Sequence, residues 1–462
     1  MGSWRAVAAL VTGPASRAGL QVEIACPAVP PRRVLGLPAG GRERSFVLAI
    51  SATTFLLWIG ASAILPLLPS YLRAEGSSPA LVGIVMAAYF AASVLTQYPL
   101  GKLSDRFGRR PLAVGGLLVF AASSIGFAAA SAPGWAIVFR ALQGVGAGSV
   151  TVALAAAIAG LVPVRERGGA YGALYGSQML ALAVGPLAGS VIGASSMRVL
   201  FVTAALAALV ACIPIVVVLP RGAASLVQTR TDLGAGTRAR AERRAAFLAH
   251  RVTLGVLIVF ATAGCFGGMY ETCWTLLLKL RHAASYEIGL SWTLFALPFA
   301  LLSVPAGRLA NRLDRRVLAI GAIVWTAGFC VVYPLLGSVA WLVGLGSLEA
   351  VGSVVGTPPA LLVLSESVPS ALQGAAQGAV ETSRTAAMAA AAALGGALFG
   401  INTVLPFAIA SVFGVVGAAA VLWCWRGLGG AASLVRANEP SIDGLPGELV
   451  PVDPSTSPGP SS

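Results

Sequence analysis

Apolar residues run along this chain in long blocks separated by short polar connections. Crossing the hydrocarbon core of a bilayer as a helix takes roughly 20 such residues. Runs of that length fall at 46–72, 79–100, 112–131, 135–162, 169–193 and 198–220. After a polar connection they return at 252–278, 286–306, 317–337, 340–364, 373–399 and 402–425. The pattern predicts an all-α integral membrane protein of twelve spanning helices in two six-helix halves, 46–220 and 252–426. Residues 1–45 carry only a brief apolar stretch, Ala6 to Thr12, among Pro, Gly and Arg, and are expected to be a disordered tail rather than a signal peptide. Residues 427–462, rich in Pro, Ser and Gly, are expected to be a second tail, and 221–251 a basic linker between the halves.

Composition sharpens the class. The chain is 57% hydrophobic and 10% charged, against about 25% charged residues in a soluble domain. Its net charge of +14 does not imply a nucleic-acid partner, because the arginines lie between apolar runs. Seventeen Lys and Arg occupy the even-to-odd connections and four occupy the others, which puts the richer side and both termini in the cytoplasm. The six cysteines have no metal-ligand spacing and read as reduced, buried thiols. No Walker loop, His-Glu-x-x-His pattern or Gly-x-Ser-x-Gly elbow is present. No metal or organic cofactor is therefore expected, the chain is not read as an enzyme, and any driving force is expected to be a gradient.

An internal repeat organises the two halves. A shift of 206 residues lays Gly101-Lys-Leu-Ser-Asp-Arg-Phe-Gly-Arg-Arg110 on Gly307-Arg-Leu-Ala-Asn-Arg-Leu-Asp-Arg-Arg316, with five of ten positions identical. The same register pairs Gly83 with Gly289, Pro99 with Pro305, Gly146 with Gly352 and Ser177 with Ser383. Two parallel six-helix repeats with a path between them are the plan of a rocking transporter.

The stretch from Gly101 to Arg110 resembles the signature loop of the major facilitator superfamily, between that family's second and third helices. The copy from Gly307 to Arg316 lies where the family has its second, and the resemblance covers about 46–425. It implies that the loop latches the halves together when the transporter opens outward, with Asp105 and Arg109 as latch residues and Gly101, Arg106, Arg110, Gly307, Arg312 and Arg316 around them. Asn311 replaces the acid in the second copy, so a weaker latch is expected there. Alternatively these arginines only anchor the topology. Gly101 itself should let two helix ends approach closely.

Two further stretches strengthen the likeness. Arg140-Ala-Leu-Gln143-Gly-Val-Gly146 on the fourth helix resembles a family motif whose arginine is linked to proton transfer, although Arg140 could instead snorkel toward the outer surface. Ala181-Leu-Ala-Val-Gly185-Pro186-Leu-Ala-Gly189-Ser190 on the fifth resembles the antiporter motif of drug–proton exchangers, with Ala181 and Ser190 departing from two glycines. Gly185, Pro186 and Gly189 would supply either a functional bend or close helix packing. Glu271 on the seventh helix and Glu349 on the tenth, the repeat partner of Gln143, are intramembrane acids and functional by default. Helices one, four, seven and ten line the central path in this family. The expectation is that Glu271 or Glu349 carries the proton and Arg140 modulates it. Glu381 and Arg384, spaced i,i+3, read as a local pair.

The expected function is proton-coupled efflux of amphipathic, drug-like small molecules across a bacterial cytoplasmic membrane. A monomer in the lipid bilayer is expected, whose partner is its small-molecule substrate. The alternatives are transport of one defined metabolite, such as a sugar or organic acid, and a non-transporting membrane sensor or receptor.

Overall fold

The computed structural model describes residues 41–129, 133–163, 166–219, 250–310, 312–368 and 373–426. The two tails, apart from 41–45, and the linker, apart from 250–251, lie outside the described residues. Twelve helices long and apolar enough to cross a membrane are present among the described residues. In hydrocarbon each backbone N–H and C=O must be bonded within the protein, and a helix does so for a single apolar run of this length.

Spans 1 to 6 comprise Gly41–Ile64 with Leu68–Ala74, then Pro79–Phe107, Arg109–Ala129, Pro133–Leu161, Arg167–Ser195 and Met197–Val218. Spans 7 to 12 are Arg251–Leu280, Ser285–Ala310, Arg315–Val332, Val339–Ser367, Gln373–Ile401 and Leu405–Cys424. Two departures from the apolar pattern have local causes. Span 1 breaks after Ile64 and restarts at Leu68, because Pro66 cannot continue the helical bonding. Span 9 ends in a 3-10 turn at Tyr333–Leu335, where Pro334 follows. Side-chain caps start several spans: Ser78 accepts from the Leu81 N–H and Asp314 from the Arg316 N–H.

The halves repeat each other's packing. Span 1 packs on spans 5 and 6 as span 7 packs on 11 and 12. Span 4 packs on 2 and 3 as span 10 packs on 8 and 9. Between the halves, span 2 meets span 11 and span 8 meets span 5, again a symmetric exchange.

Glycines set these cross-half contacts. At Gly83 an added Cβ would lie 2.6 Å from the Ala392 carbonyl oxygen and 2.9 Å from that of Ala393. At Gly289 it would lie 2.5 Å from the Pro186 carbonyl oxygen and 2.6 Å from the Ser190 Cβ. The 206-residue register makes Ala392 the counterpart of Pro186, so the two contacts are one contact repeated. The break in span 1 adds a third, since the freed Pro66 carbonyl accepts from Thr275 Oγ1 at 2.8 Å. All three lie at the end of the bundle opposite the basic loops. At the basic end nothing approaches within 4 Å of a Cβ built on Gly101 or Gly307. The close approach expected at Gly101 is therefore not made in this structure, which is pinned shut at the other end.

Candidate functional site

Arg140 enters on span 4 at the end of the sequence Trp135-Ala-Ile-Val-Phe-Arg, and span 4's packing against spans 2 and 3 encloses it. Only 1% of its surface is exposed, so it does not snorkel. Nη1 donates to Gln143 Oε1 at 3.0 Å, one helical turn on, and Gln143 Nε2 donates to Ser124 Oγ of span 3 at 3.0 Å. The guanidinium carbon lies 4.6 Å from the centre of the Tyr89 ring of span 2, a cation–π arrangement. Nε and Nη2 are closed off from solvent and donate to nothing among the described residues.

Glu271 reaches the same region from span 7, in the other half. Its charge and that of Arg140 act on each other, yet no hydrogen bond or direct ion pair joins them. Glu271 Oε2 is shielded and accepts no hydrogen bond among the described residues. A buried carboxylate oxygen without a partner is costly. A proton, a water or a bound cation would remove that cost.

Glu349 is held by a different group of residues. It is 1% exposed, and its two oxygens accept from Tyr270 Oη at 2.9 Å and Tyr333 Oη at 2.6 Å. Cys330 Sγ lies 3.2 Å from Tyr270 Oη. Trp274 packs edge-on to both tyrosines, and its indole N–H donates to Ser291 Oγ at 3.0 Å. The structure thus places Arg140 and Glu271 within electrostatic reach of each other across the half boundary, without contact, and keeps Glu349 in a separate polar cluster. Repeat register relates the clusters: Gln143 with Ser124 becomes Glu349 with Cys330.

The antiporter-like stretch packs three helices. Gly185 and Gly189 face span 1, at Ser62 and Ala63, while Pro186 and Ser190 face Gly289 of span 8. Span 5 runs through Pro186 as one helix. Its small residues permit the contact that holds the halves together at the closed end.

In the basic loops, Arg110 donates to the Leu219 carbonyl at the end of span 6, at 3.2 Å. Arg109 lies against Gly160 of span 4, with Nη1 shielded and without a hydrogen-bond partner among the described residues. Arg106 is exposed, 5.3 Å from the Phe107 ring, and the Asp105 side chain lies outside the described residues. In the second loop Arg316 bonds Asp314 at 2.9 Å and 3.2 Å, so this acid is spent within its own turn and bridges nothing. Its carboxyl is held below its ordinary value of 3.8, first by the side-chain bond from Arg316. Arg312 is exposed. An ion pair that sequence reasoning missed, Arg315 with Glu366, ties span 9 to span 10. No local spacing signals it, because its residues lie 51 positions apart. Glu381 and Arg384 do form the expected local pair, at 2.5 Å.

The profile of the Major Facilitator Superfamily matches residues 50–291 and 272–446. The inner membrane transport protein YajR of Escherichia coli is 39% identical over 127 residues, 27% of this chain and 27% of that protein. Multidrug resistance protein 2 of Bacillus subtilis is 25% identical over 392 residues, 81% of this chain and 94% of that one. Among solved structures, the nucleoside transporter NupG superposes with a TM-score of 0.62 at 14% identity, over 82% of this chain and 99% of that chain.

Proposed function

This chain belongs to the major facilitator superfamily and is a multi-pass membrane transporter, and from that premise we propose that it expels amphipathic small molecules in exchange for protons. The observation that carries the proposal is the unpaired polarity across the half boundary. Arg140 Nε and Nη2 and Glu271 Oε2 are all buried and have no hydrogen-bond partner among the described residues, on helices from opposite halves. A rocking motion changes the distance between those helices, so the charge state of Glu271 and the position of the halves bias each other. Glu349, enclosed by Tyr270 and Tyr333, is the second acid available to the cycle. The extended likeness to Multidrug resistance protein 2 supports drug-like substrates.

The basic end is assigned to the cytoplasm of a bacterial cell. In that orientation the structure is the state closed toward the outside, with the Gly101 and Gly307 loops released. The loop from Gly101 to Arg110 then latches the halves in the opposite state, where Gly101 makes the close approach that it lacks here.

The test is accumulation of an amphipathic cationic dye in an efflux-deficient bacterial host, with and without a protonophore. Cells bearing the transporter are expected to hold less dye, and the protonophore to abolish the difference. Unchanged accumulation, with the protein present in the membrane, would overturn drug efflux.

A further inference from the structure

The repeat also exposes a place where the halves differ. In the first half Arg140 lays its guanidinium over Tyr89 and bonds Gln143. The same three positions in the second half are Gly346, Phe295 and Glu349. The arginine side chain has no counterpart, while the residue it bonds has become a carboxylate.

The space is present as well. A cavity of about 30 Å³ is lined by Tyr270, Trp274, Trp292, Phe295, Gly346 and Glu349. A Cβ on Gly346 would meet Trp274 ring atoms at 3.5 and 3.7 Å and the Tyr333 hydroxyl at 4.0 Å, which is ordinary contact. Helix packing therefore does not require glycine at this position, unlike Gly352 on the same span, which is pressed against Trp325. The Trp274 N–H is spent on Ser291, but the Trp292 N–H is shielded and has no partner among the described residues. Among the described residues no cation pairs with Glu349.

We propose that this cavity is a head-group subsite for a planar organic cation, a guanidinium or amidinium, supplied by the ligand where the first half supplies Arg140. The cation lies against the Phe295 ring as the Arg140 guanidinium lies against Tyr89. It donates to the lone pairs that Glu349 has left after accepting from the two tyrosines. A cavity of this size holds about two water molecules, so it takes the head group alone. The rest of the ligand stays outside. This inference rests on the transporter reading above and names the ligand chemistry of one part of the path.

The experiment titrates benzamidinium, and its neutral analogue benzamide, into the full-length protein in lipid nanodiscs, followed by tryptophan fluorescence. Saturable quenching by benzamidinium and none by benzamide at equal concentration is expected. Gly346→Arg, which places a tethered guanidinium in the cavity, should abolish the saturable signal. Glu349→Gln should weaken binding at least tenfold, the scale of one lost hydrogen bond to a charged group. Gly346→Ala, whose methyl fits in ordinary contact, should fold and lose less affinity than Gly346→Arg. Gly344→Ala, on the same helix with nothing within 4 Å, should bind as the parent does. Parent-like affinity in Gly346→Arg or Glu349→Gln, or equal binding of benzamide, would overturn the subsite. If dye is expelled from cells but no benzamidinium binds, the subsite falls and efflux stands. If benzamidinium binds as described but no dye moves, efflux falls and the subsite stands.

Discussion

Substituting alanine at Gly83 should move the transporter away from the state seen here. The added methyl would lie 2.6 and 2.9 Å from two carbonyl oxygens of span 11 and 2.9 Å from the Gly396 Cα. All three are backbone atoms, so no side-chain rotation relieves the clash. Spans 2 and 11 must separate at that end. Overpacking of this kind costs about 1–3 kcal/mol. A cost of about 2 kcal/mol shifts the balance between two states by roughly 30-fold. Gly101→Ala provides the reciprocal case: its methyl meets nothing here, but on the latch reading it obstructs closure of the basic end. Spin labels at Glu75→Cys and Tyr286→Cys, both exposed near the closed end, would report the separation by electron–electron double resonance. Gly83→Ala should enrich the long distance, and Gly101→Ala should leave it unchanged or enrich the short one. Equal distributions in parent and Gly83→Ala, or a shift of both variants in the same direction, would mean that the Gly83 contact does not hold this end shut.

Three further outcomes follow from individual contacts. Tyr333→Phe removes the 2.6 Å bond to Glu349 and should lower stability by about 1.5–3 kcal/mol in detergent thermal unfolding, the range for hydrogen bonds to charged groups. Asp314→Ala removes the cap of span 9 and should cost about 1 kcal/mol in the same assay. Because the folded carboxyl titrates below 3.8, this cap contributes fully above that pH and is lost as pH falls through the folded value, so parent and variant should converge in acid. Glu366→Gln breaks the pair with Arg315, in which the glutamate is 36% exposed and the arginine only 12%; exposed pairs contribute about 0–1 kcal/mol, and the shielded arginine puts this one at the upper end, so its unfolding temperature should fall slightly below that of the parent.

Much of the architecture was legible in the chain, because membrane spans announce themselves by length and the repeat keeps one register through loops and helices. Gly83 and Gly289 were paired from sequence, and the structure puts both into the same kind of contact. The packing of the span 5 motif was open from sequence, since a Gly-Pro-x-x-Gly stretch permits either a bend or a close approach. Span 8 had to be in place to reveal which backbone Pro186 and Ser190 meet. The break at Pro66 was hidden within an unbroken apolar run, and its carbonyl found a partner 209 positions away. The enclosure of Glu349 depends on tyrosines from span 7 and the end of span 9, which no local spacing links. The close approach expected at Gly101 is not made in this structure; on the proposed latch it would be made in the opposite state.

Proton–substrate exchange is read out by reconstituting the purified protein in liposomes carrying an internal pH indicator and imposing a gradient of an amphipathic cation. Proton movement opposite to the substrate, abolished in Glu271→Gln, is expected. Substrate movement without proton countermovement, or coupling of parental size in the variant, would contradict it.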